Sequence, residues 1–383
     1  MTYKLTEEQE SIRDMVREYA RKRLAPKADE VDKSGKFPKD TMLELAEMGV
    51  MGLNVPEEYG GAGLDEVSKA LVIAEVSACC GNTAEFLPVH YLTNDIIARF
   101  GNEEQKQKYL TQACNGKLGA FALTEPGAGS DAAAVKTRAE SDGDYYVING
   151  TKCFISNMGP DEGDYVILFA STQPEKGVKG LTAILVDRGT PGFTLGKSED
   201  KMGIRGASVS ELIFEDCRVP KANRLGEEGQ GFKIAMKGLE GGRVCIAAQG
   251  VGLAQGALEA AVKYAHQRVQ FGKPIAANQG IQWYVAEMAT RTEAARALTL
   301  QAADARQNND PQTIKLASMA KFFASETAVA VASKALQIHG GYGYMKDYAI
   351  ERMYRDARII PIYEGTSEVQ KMVISKEVYR ELV

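Results

Sequence analysis

The first third of the chain has apolar residues at helical spacing. The segment from Ile12 to Leu24 places them on one face of a helix. Thr6 and Gln9 have the spacing of a capping box before this segment, and Pro26 follows it, so the helix is expected to end there. The same periodicity predicts further helices at residues 41–48, 68–80, 86–100 and 102–110.

From about residue 118 the pattern changes to short runs rich in β-branched and aromatic residues, separated by Gly, Asp and Pro. Asn149-Gly150, inside one of these runs, has the sequence of a hairpin turn. The predicted strands are GAFALTE, DYYVINGTKCFIS, DYVILFAST, GLTAILVD and SELIFEDCRVP. This block is expected to form a small β domain that ends near Gly229.

Helical periodicity returns after Gly231, with long helices predicted at 231–268, 277–308, 311–339 and 367–381. Trp283 is expected in the core. Glu287 and Arg291 have an i,i+4 spacing and are expected to form a surface pair. The predicted fold class is therefore α+β and multidomain. It comprises an N-terminal all-α domain (1–118), a middle β-barrel or β-sandwich domain (119–229) and a C-terminal helical bundle (230–383).

Composition narrows the class of protein. The 383 residues allow two or three domains, and 44% apolar with 25% charged residues is typical of a soluble globular protein. A net charge of −5 gives no reason to expect nucleic acid or a membrane as partner. The six cysteines have neither metal-ligand spacing nor a disulfide pattern. No targeting segment or bilayer-spanning run is evident, so we expect a cytoplasmic protein, although a mature organellar chain would have the same features.

The most distinctive candidate site is IIPIYEGTSEVQ, residues 359–370, in which Glu364 follows an apolar run and precedes Gly365. Apolar surroundings raise the pKa of a carboxyl by disfavouring its charged form, which suits a base near neutral pH. Glycine lets a ligand approach the backbone closely. The same residues also fit a helix start, with Thr366 or Ser367 as the N-cap.

A second candidate is the glycine-rich loop in FALTEPGAGSD, residues 121–131. The backbone N–H groups of such a loop can bind phosphate or carbonyl oxygens. The GxGxxG spacing and following helix of a Rossmann site are missing. His90, His266 and His339 are alternative bases, but no catalytic partners accompany them in the sequence.

Together, TEPGAGSD, KCFISNM, HQRVQFGKPI, QIHGGYGY and YEGTSEVQ resemble the flavin-dependent acyl-CoA dehydrogenases, and specifically their short-chain, butyryl-CoA branch. The resemblance covers roughly residues 5–381. It implies a helical domain, a β domain and a four-helix bundle, with FAD as cofactor. It also implies conversion of an acyl-CoA to a trans-2-enoyl-CoA, electron transfer to an electron-transferring flavoprotein, and a homotetramer built as a dimer of dimers.

The resemblance assigns roles to individual residues. Glu364 is implied as the base that removes the α-proton. The implied FAD contacts are Phe121, Leu123, Thr124, Gly129, Ser130, Phe154, Ile155, Ser156, Thr366 and Glu368, with Arg268, Gln270, Phe271, Gln279, Gln337, Gly340 and Gly341 toward the FAD of a neighbouring subunit. The implied acyl-CoA contacts are Ser130, Leu239, Arg243, Tyr363 and Gly365.

Gly242 bears on the assignment of the base. Branched- and long-chain relatives that carry the base on this helix have Glu at the matching position, so Gly242 leaves Glu364 as the matching base. Glu240, two residues away, would point elsewhere on a helix. Phe154 and Ser156 stand where many relatives have Trp and Thr.

The stretch NTAEFLPVHYLTND, residues 82–95, leaves more than one identity possible for the acyl group of the substrate. A second acid here would suit an alicyclic or aryl-conjugated acyl-CoA, from which a more distant proton is removed. The alternative, which we prefer, is that Glu85, His90 and Asp95 face away from the acyl pocket. The arginine of glutaryl-CoA-type relatives is missing from the stretch. Operation as an enoyl-CoA reductase, oxidase activity and a non-catalytic helical binding protein are further alternatives.

Overall fold

The computed structural model describes residues 4–383, which begin with a helical region. The predicted end of the first helix at Pro26 is wrong. Helical turns continue through a π-turn and a 3-10 turn, and Pro26 occupies the start of the latter, where its missing N–H is tolerated. The α-helices here are α1 (Glu7–Tyr19), α2 (Ala28–Ser34), α3 (Lys39–Glu47), α4 (Glu66–Cys79), α5 (Gly81–Phe100) and α6 (Glu103–Cys114).

The middle region is one mixed sheet with strand order β6-β7-β3-β2-β4-β5-β8, and β1 pairs with β4 in parallel. Strand β4 is buried along its whole length, with alternate residues in a core inside the β region and in a second core against the helices. The strands are β1 (Gly119–Ala122), β2 (Arg138–Asp142), β3 (Tyr145–Ser156), β4 (Tyr165–Ser171), β5 (Leu181–Asp187), β6 (Phe193–Ser198), β7 (Val209–Pro220) and β8 (Arg224–Leu225). The pattern of the sequence had not predicted β2 or β6.

The hairpin predicted at Asn149-Gly150 is wrong, because β3 runs through this dipeptide without a break. The turn lies earlier, where Asp142 pairs with Tyr145 across a two-residue connection. Gly150 occupies a register shift against β7, and a Cβ there would lie 2.6 Å from the Thr137 hydroxyl. The glycine therefore permits close strand approach and does not form a turn.

The last region consists of the long helices α7 (Gly231–Gln267), α8 (Gln279–Gln307), α9 (Thr313–His339) and α11 (Ser367–Leu382), and the short helix α10 (Ala349–Ala357), which was not predicted. A short two-stranded ribbon, β9 (Val269–Gln270) and β10 (Lys273–Pro274), follows α7. Helix α7 is long and apolar enough to cross a membrane by length and composition alone, but 78% of the relevant window is buried inside the protein. Its position is that of a core helix.

Glycines let α7 pack closely on the N-terminal region. A Cβ at Gly252 would lie 2.2 Å from the carbonyl oxygen of Ala74, and one at Gly256 would lie 2.2 Å from that of Ala78. Ala74 and Ala78 both belong to α4, so a side chain at either glycine would collide with the backbone of that helix. The glycines therefore set the spacing between α4 and α7. Helix α7 thus links the N-terminal region to the bundle and forms one wall of the site.

The prediction that Trp283 lies in the core is wrong, since 65% of this residue is exposed. The buried face of α8 includes Met288, Thr292, Ala295 and Thr299, which recur at helical spacing. Trp283 precedes Met288 by five positions and is therefore roughly 140° around the helix from this stripe. The predicted Glu287–Arg291 pair is confirmed at 3.3 Å.

Candidate active site

The turn that carries Glu364 connects α10 to α11 and has an unusual backbone. Glu364 has φ of 53° and Gly365 has φ of 90°, so two successive residues are left-handed. For a non-glycine residue this conformation costs energy and persists only where surrounding contacts impose it. Thr366 accepts the Val369 N–H at 3.3 Å as the N-cap of α11, so the helix-start interpretation is confirmed and holds alongside the site.

Hydrogen bonds from two helices hold this turn. Lys321 Nζ of α9 donates to the Gly365 carbonyl at 2.7 Å, and Gln370 Nε2 of α11 donates to the same oxygen at 3.0 Å. The Ser325 hydroxyl contacts the Ile360 carbonyl at 3.2 Å just before the turn. These contacts supply the constraint that the strained backbone requires.

The Glu364 carboxyl points at the wall formed by α7. A Cβ at Gly242 would lie 2.8 Å from Glu364 Oε2, which is buried and has no hydrogen-bond partner within residues 4–383. Burial raises the pKa of Glu364 to about 7, against the opposing charges of Arg243 and Lys321. Glu364 Oε2 therefore lies directly against position 242 of α7.

Arg243 follows Gly242 on α7 and is 9% exposed. Its Nε has no hydrogen-bond partner in the described part of the chain, and burial lowers the pKa of this guanidinium. Leu239 lies one helical turn earlier and is half-buried. Glu240 pairs instead with Lys237 at 2.7 Å, as expected for a residue outside the site. A buried cation with a free donor is suited to bind an anionic or polar ligand group.

A second buried carboxyl, that of Glu85 on α5, lies beside this turn. Glu85 Oε2 is 3.0 Å from the Tyr363 hydroxyl and 3.2 Å from Gln249 Nε2, and Oε1 is 3.4 Å from the Ser156 hydroxyl. The Tyr363 hydroxyl also donates to Gln249 Oε1. Burial raises the pKa of Glu85 to about 7.

The preferred expectation that Glu85 faces away from the site is therefore wrong, while His90 and Asp95 do face elsewhere. His90 Nε2 bonds the Met51 carbonyl at 2.9 Å, and Asp95 pairs with Lys69 and Arg306. His266 and His339 bond carbonyls of their own helices. Within residues 4–383, none of the three histidines forms a hydrogen bond to the Glu364 turn.

The opposite side of the site is built from the ends of β1 and β3. The Cys153 N–H donates to the Thr124 carbonyl at 3.0 Å, and buried Lys152 bonds the Leu123 carbonyl at 3.1 Å and Glu125 at 2.7 Å. These bonds bring most of the β-region candidates together: Phe121, Leu123, Thr124, Phe154, Ile155 and Ser156. The hydrogen bond between Ser156 and Glu85 then joins this group to the Glu364 turn.

Phe154 and the glycine-rich loop leave this side open to a ligand. Phe154 has φ of 57° and is 67% exposed, and Asn157 has φ of 62°. Gly129 and Ser130 are exposed, and a Cβ at Gly129 would meet nothing within 4 Å. An exposed aromatic ring on a strained backbone is typical of a ligand site, and so is an uncovered glycine-rich loop.

Family models for the acyl-CoA dehydrogenase N-terminal, middle and C-terminal domains match residues 6–117, 120–217 and 229–379. The chain belongs to the acyl-CoA dehydrogenase family. It is an oxidoreductase, and the cofactor of this family is FAD. The predicted recognition and three-part fold are thereby confirmed.

Individual relatives are similar over nearly the whole chain. An acryloyl-CoA reductase (NADH) of Anaerotignum propionicum is 52% identical, over 99% of this chain and 96% of its own length. A short-chain specific acyl-CoA dehydrogenase of Clostridium acetobutylicum is 47% identical, over 99% and 100%. The solved butyryl-CoA dehydrogenase of Megasphaera elsdenii is 44% identical, with a TM-score of 0.96 over 99% and 100%.

The residues present fit the FAD of the family. The open loop at Gly129 and the exposed ring of Phe154 are available to the cofactor, and Glu364 Oε2 and Arg243 Nε have no hydrogen-bond partner within residues 4–383. Of the implied residues in the Glu364 turn, Tyr363, Gly365 and Thr366 are partly exposed, and Glu368 is exposed in the first turn of α11.

A second pocket is formed at the far end of α7. Arg268, Gln270, Gly340 and Gly341 line a cavity of about 580 Å³, where the Arg268 guanidinium lies 5.2 Å from the Tyr342 ring centre. The structure does not bring all implied neighbouring-subunit residues into this lining. Phe271, Gln279 and Gln337 are exposed outside it, and 98% of Phe271 is accessible.

The two sites are far apart within one chain. Gly242 and Arg268 are 26 positions apart, so the part of α7 between them is about 39 Å long at 1.5 Å per residue. The second pocket therefore does not extend the Glu364 site of the same chain.

Sequence reasoning missed three residues that support the site: Lys321, Gln249 and Gln370. Lys321 lies on the small-residue buried stripe of α9 that includes Ala317 and Ala324. A lysine on such a stripe is a signal that could have been found, since a buried charge needs a compensating partner. The two glutamines have no comparable signal, because their contacts come from distant segments.

Among residues 4–383, no group of His, Cys, Asp or Glu has the arrangement of a metal site. The six cysteines are free thiols.

Proposed function

We propose that this protein dehydrogenates a short-chain acyl-CoA at the α,β positions, with Glu364 as the α-proton base. The observation that carries the proposal is the Glu364 carboxyl. It is held in a strained turn, its Oε2 is buried and unpartnered in the described chain, and its pKa is raised to about 7. A base whose pKa is near the working pH combines a useful ionised fraction with adequate proton affinity.

Each wall of the cleft has a separate task in this proposal. Arg243 binds the CoA portion through its free Nε, and Leu239 contacts the chain. Glu364 Oε2 receives the α-proton, and the resemblance gives the Glu364 N–H the role of donor to the thioester oxygen, where negative charge develops. FAD, when bound, supplies the acceptor that takes the β-hydrogen as hydride.

The remaining FAD contacts are proposed from two chains. The β-region group and the Glu364 turn would hold the cofactor of their own chain, and the Arg268 pocket would contact the cofactor of a neighbouring chain. The distance of about 39 Å along α7 between Gly242 and Arg268 supports contribution in trans, as in the proposed homotetramer. Exposure of Phe154 supports docking of an electron-transferring flavoprotein at this edge.

The test compares Glu364→Gln with Glu240→Gln as holoenzymes mixed anaerobically with butyryl-CoA. Glu364→Gln removes the base and keeps the side-chain shape, so flavin bleaching should slow by about 10²–10⁴-fold while FAD stays bound. Glu240→Gln is the matched control on α7 and should bleach at the wild-type rate. Rapid bleaching by Glu364→Gln would remove Glu364 from the proposed role, and a colourless wild-type protein would favour the binding-protein alternative.

A second candidate function is the reverse reaction, reduction of a short-chain enoyl-CoA. It is favoured by the 52% identity to a protein named acryloyl-CoA reductase (NADH). The same Glu364 would then deliver the proton to the α-carbon. Initial rates measured in both directions, with an electron-transferring flavoprotein and either NADH or an oxidising dye, distinguish the two. Faster crotonyl-CoA or acryloyl-CoA reduction would favour the second function.

A further inference from the structure

Lys321 differs from the other fully buried lysines of the molecule. Lys69 pairs with Glu66 at 2.9 Å and Asp95 at 3.1 Å, and Lys152 pairs with Glu125 at 2.7 Å. Lys321 is 0% exposed, yet it forms no salt bridge within residues 4–383. Its Nζ donates a hydrogen bond to the Gly365 carbonyl at 2.7 Å. A buried ammonium without an ion pair is costly, so its retention calls for another compensating interaction.

The hydrogen bond alone does not account for a cation here. Gln370 Nε2 already donates to the Gly365 carbonyl at 3.0 Å and contacts the Glu364 carbonyl at 3.3 Å. The carbonyl is therefore satisfied by a neutral donor from α11. What Lys321 adds is a positive charge at the carbonyl of Gly365, the residue that follows Glu364.

We propose that Lys321 is a positioning residue for the base: its buried ammonium fixes the Gly365 carbonyl and keeps the Glu364 carboxylate available to accept the α-proton. This inference rests on the proposed function, in which Glu364 is that base. Lys321 itself touches neither the acyl group nor the reacting atoms in this account. Its effect is transmitted through the turn and through the electrostatic field.

The balance of charges around the turn sets the direction of the effect. Burial raises the pKa of Glu364 and lowers the pKa of Lys321 to about 8, and each charge opposes the shift of the other. Without the Lys321 charge, ionised Glu364 would lose a favourable interaction, and its pKa would rise further. The other charged groups that face the pair are Arg243 of α7, Glu85 of α5, Glu326 of α9 and Glu368 of α11.

The pH profile of the wild-type enzyme follows from these shifts. The rate of dehydrogenation should fall as pH drops through about 7, because protonated Glu364 cannot accept the α-proton. An opposite charge nearby lowers the pKa of a carboxyl. Removal of the Lys321 charge should therefore move this acidic limb to higher pH.

Three variants, each prepared as the holoenzyme, distinguish the effect of the Lys321 charge from the effects of its hydrogen bond and of a general loss of stability. Lys321→Met removes both charge and donor, Lys321→Gln removes the charge and keeps a donor, and Lys69→Met removes a buried lysine charge from a different cluster. The measurements are the pH dependence of flavin reduction by butyryl-CoA and an infrared titration of the protonated Glu364 carboxyl, assigned by its loss in Glu364→Gln.

Both Lys321 variants should shift the kinetic midpoint and the infrared midpoint upward together, whereas Lys69→Met should lower thermal stability and leave both midpoints unchanged. If Lys321→Met does not fold, Lys321→Gln carries the test. Midpoints at the wild-type pH in a folded Lys321 variant, even one of reduced activity, would reduce Lys321 to a structural role and overturn the inference. Full activity of Glu364→Gln would instead overturn the proposed function.

Discussion

Two candidate ligand sites of opposite character lie along helix α7: one at Gly242 and Arg243, called the Glu364 end, and one just beyond the last residue of the helix, called the Arg268 end. At the Glu364 end, Glu364 Oε2 and Arg243 Nε are buried and have no hydrogen-bond partner within residues 4–383. At the Arg268 end, Gln270, Gly340 and Gly341 of the pocket lining are exposed, and the neighbouring Phe271 is 98% exposed although its φ is 52°. The left-handed backbone at Glu364 is held by hydrogen bonds from other helices of the same chain. The left-handed backbone at Phe271 has an almost fully exposed side chain, which packs against little else within residues 4–383.

The difference indicates what each pocket requires. The Glu364 cleft has walls from α5, α7, α9, β1 and β3 within one chain, so its electrostatics are fixed before any ligand arrives. The Arg268 pocket is an open cavity that a second chain would complete under the proposed tetramer. Alterations at the first end should therefore affect chemistry, and alterations at the second should affect cofactor retention.

The largest effect is expected from moving the base between the two walls of the Glu364 cleft. Glu364→Gly should lower the rate of flavin reduction by about 10²–10⁴-fold. Because a Cβ at position 242 would lie 2.8 Å from Glu364 Oε2, the double variant Gly242→Glu with Glu364→Gly should recover part of that loss. Single-turnover kinetics with butyryl-CoA measure both.

The control for this exchange is Gly242→Ala with Glu364→Gly, which fills the wall without a carboxyl and should recover nothing. Equal rates in the two double variants would show that position 242 cannot present a base to the substrate. Melting temperatures measured alongside would separate a misfolded wall from a misplaced carboxyl.

An intermediate effect is expected at the other end of α7. Arg268→Ala should weaken FAD retention by roughly 10- to 100-fold, the loss expected for charged hydrogen bonds, and excess FAD should restore activity. The flavin-to-protein ratio after gel filtration provides the measurement. Arg291→Ala, which removes an exposed pair on α8, is the control. If Arg268→Ala retained FAD as well as the wild-type protein does, the proposal that the Arg268 pocket holds the cofactor would be contradicted.

The sequence and the structure agree where a short segment carries its own signal. The capping box at Thr6, the positions of the long helices and the carboxylate–glycine turn at Glu364 could each be predicted from neighbouring residues. Wrong predictions arose where distant contacts decide. Gly150 permits close approach to Thr137 instead of forming a turn, and Trp283 lies off the buried stripe of α8.

The candidate site divides in the same way. Glu364 and the glycine-rich loop are visible as motifs, whereas most of the side chains that hold the Glu364 turn come from α5, α7 and α9, which are far from it in sequence. Lys321 is 44 positions from the carbonyl that it bonds, and Glu85 is 278 positions from Tyr363. Periodicity reports which face of a helix is buried but not which other segment it faces, so these contacts required the structure.

The smallest effect is expected for Glu85→Gln. This variant is also the sharpest test of which acyl group the substrate carries. Gln keeps polar contacts to Tyr363 and Ser156, so kcat/KM for butyryl-CoA should change only about threefold, within the net contribution of one hydrogen bond. Glu162→Gln is the matched control, because burial also raises the pKa of Glu162 to about 7 and its carboxyl instead accepts the Ser208 N–H. Rates with cyclohexenecarboxyl-CoA and phenylpropionyl-CoA complete the comparison. A loss of about 10²-fold or more confined to one of these substrates would make Glu85 a second proton acceptor and would replace the short-chain assignment with an alicyclic or aryl-conjugated acyl-CoA.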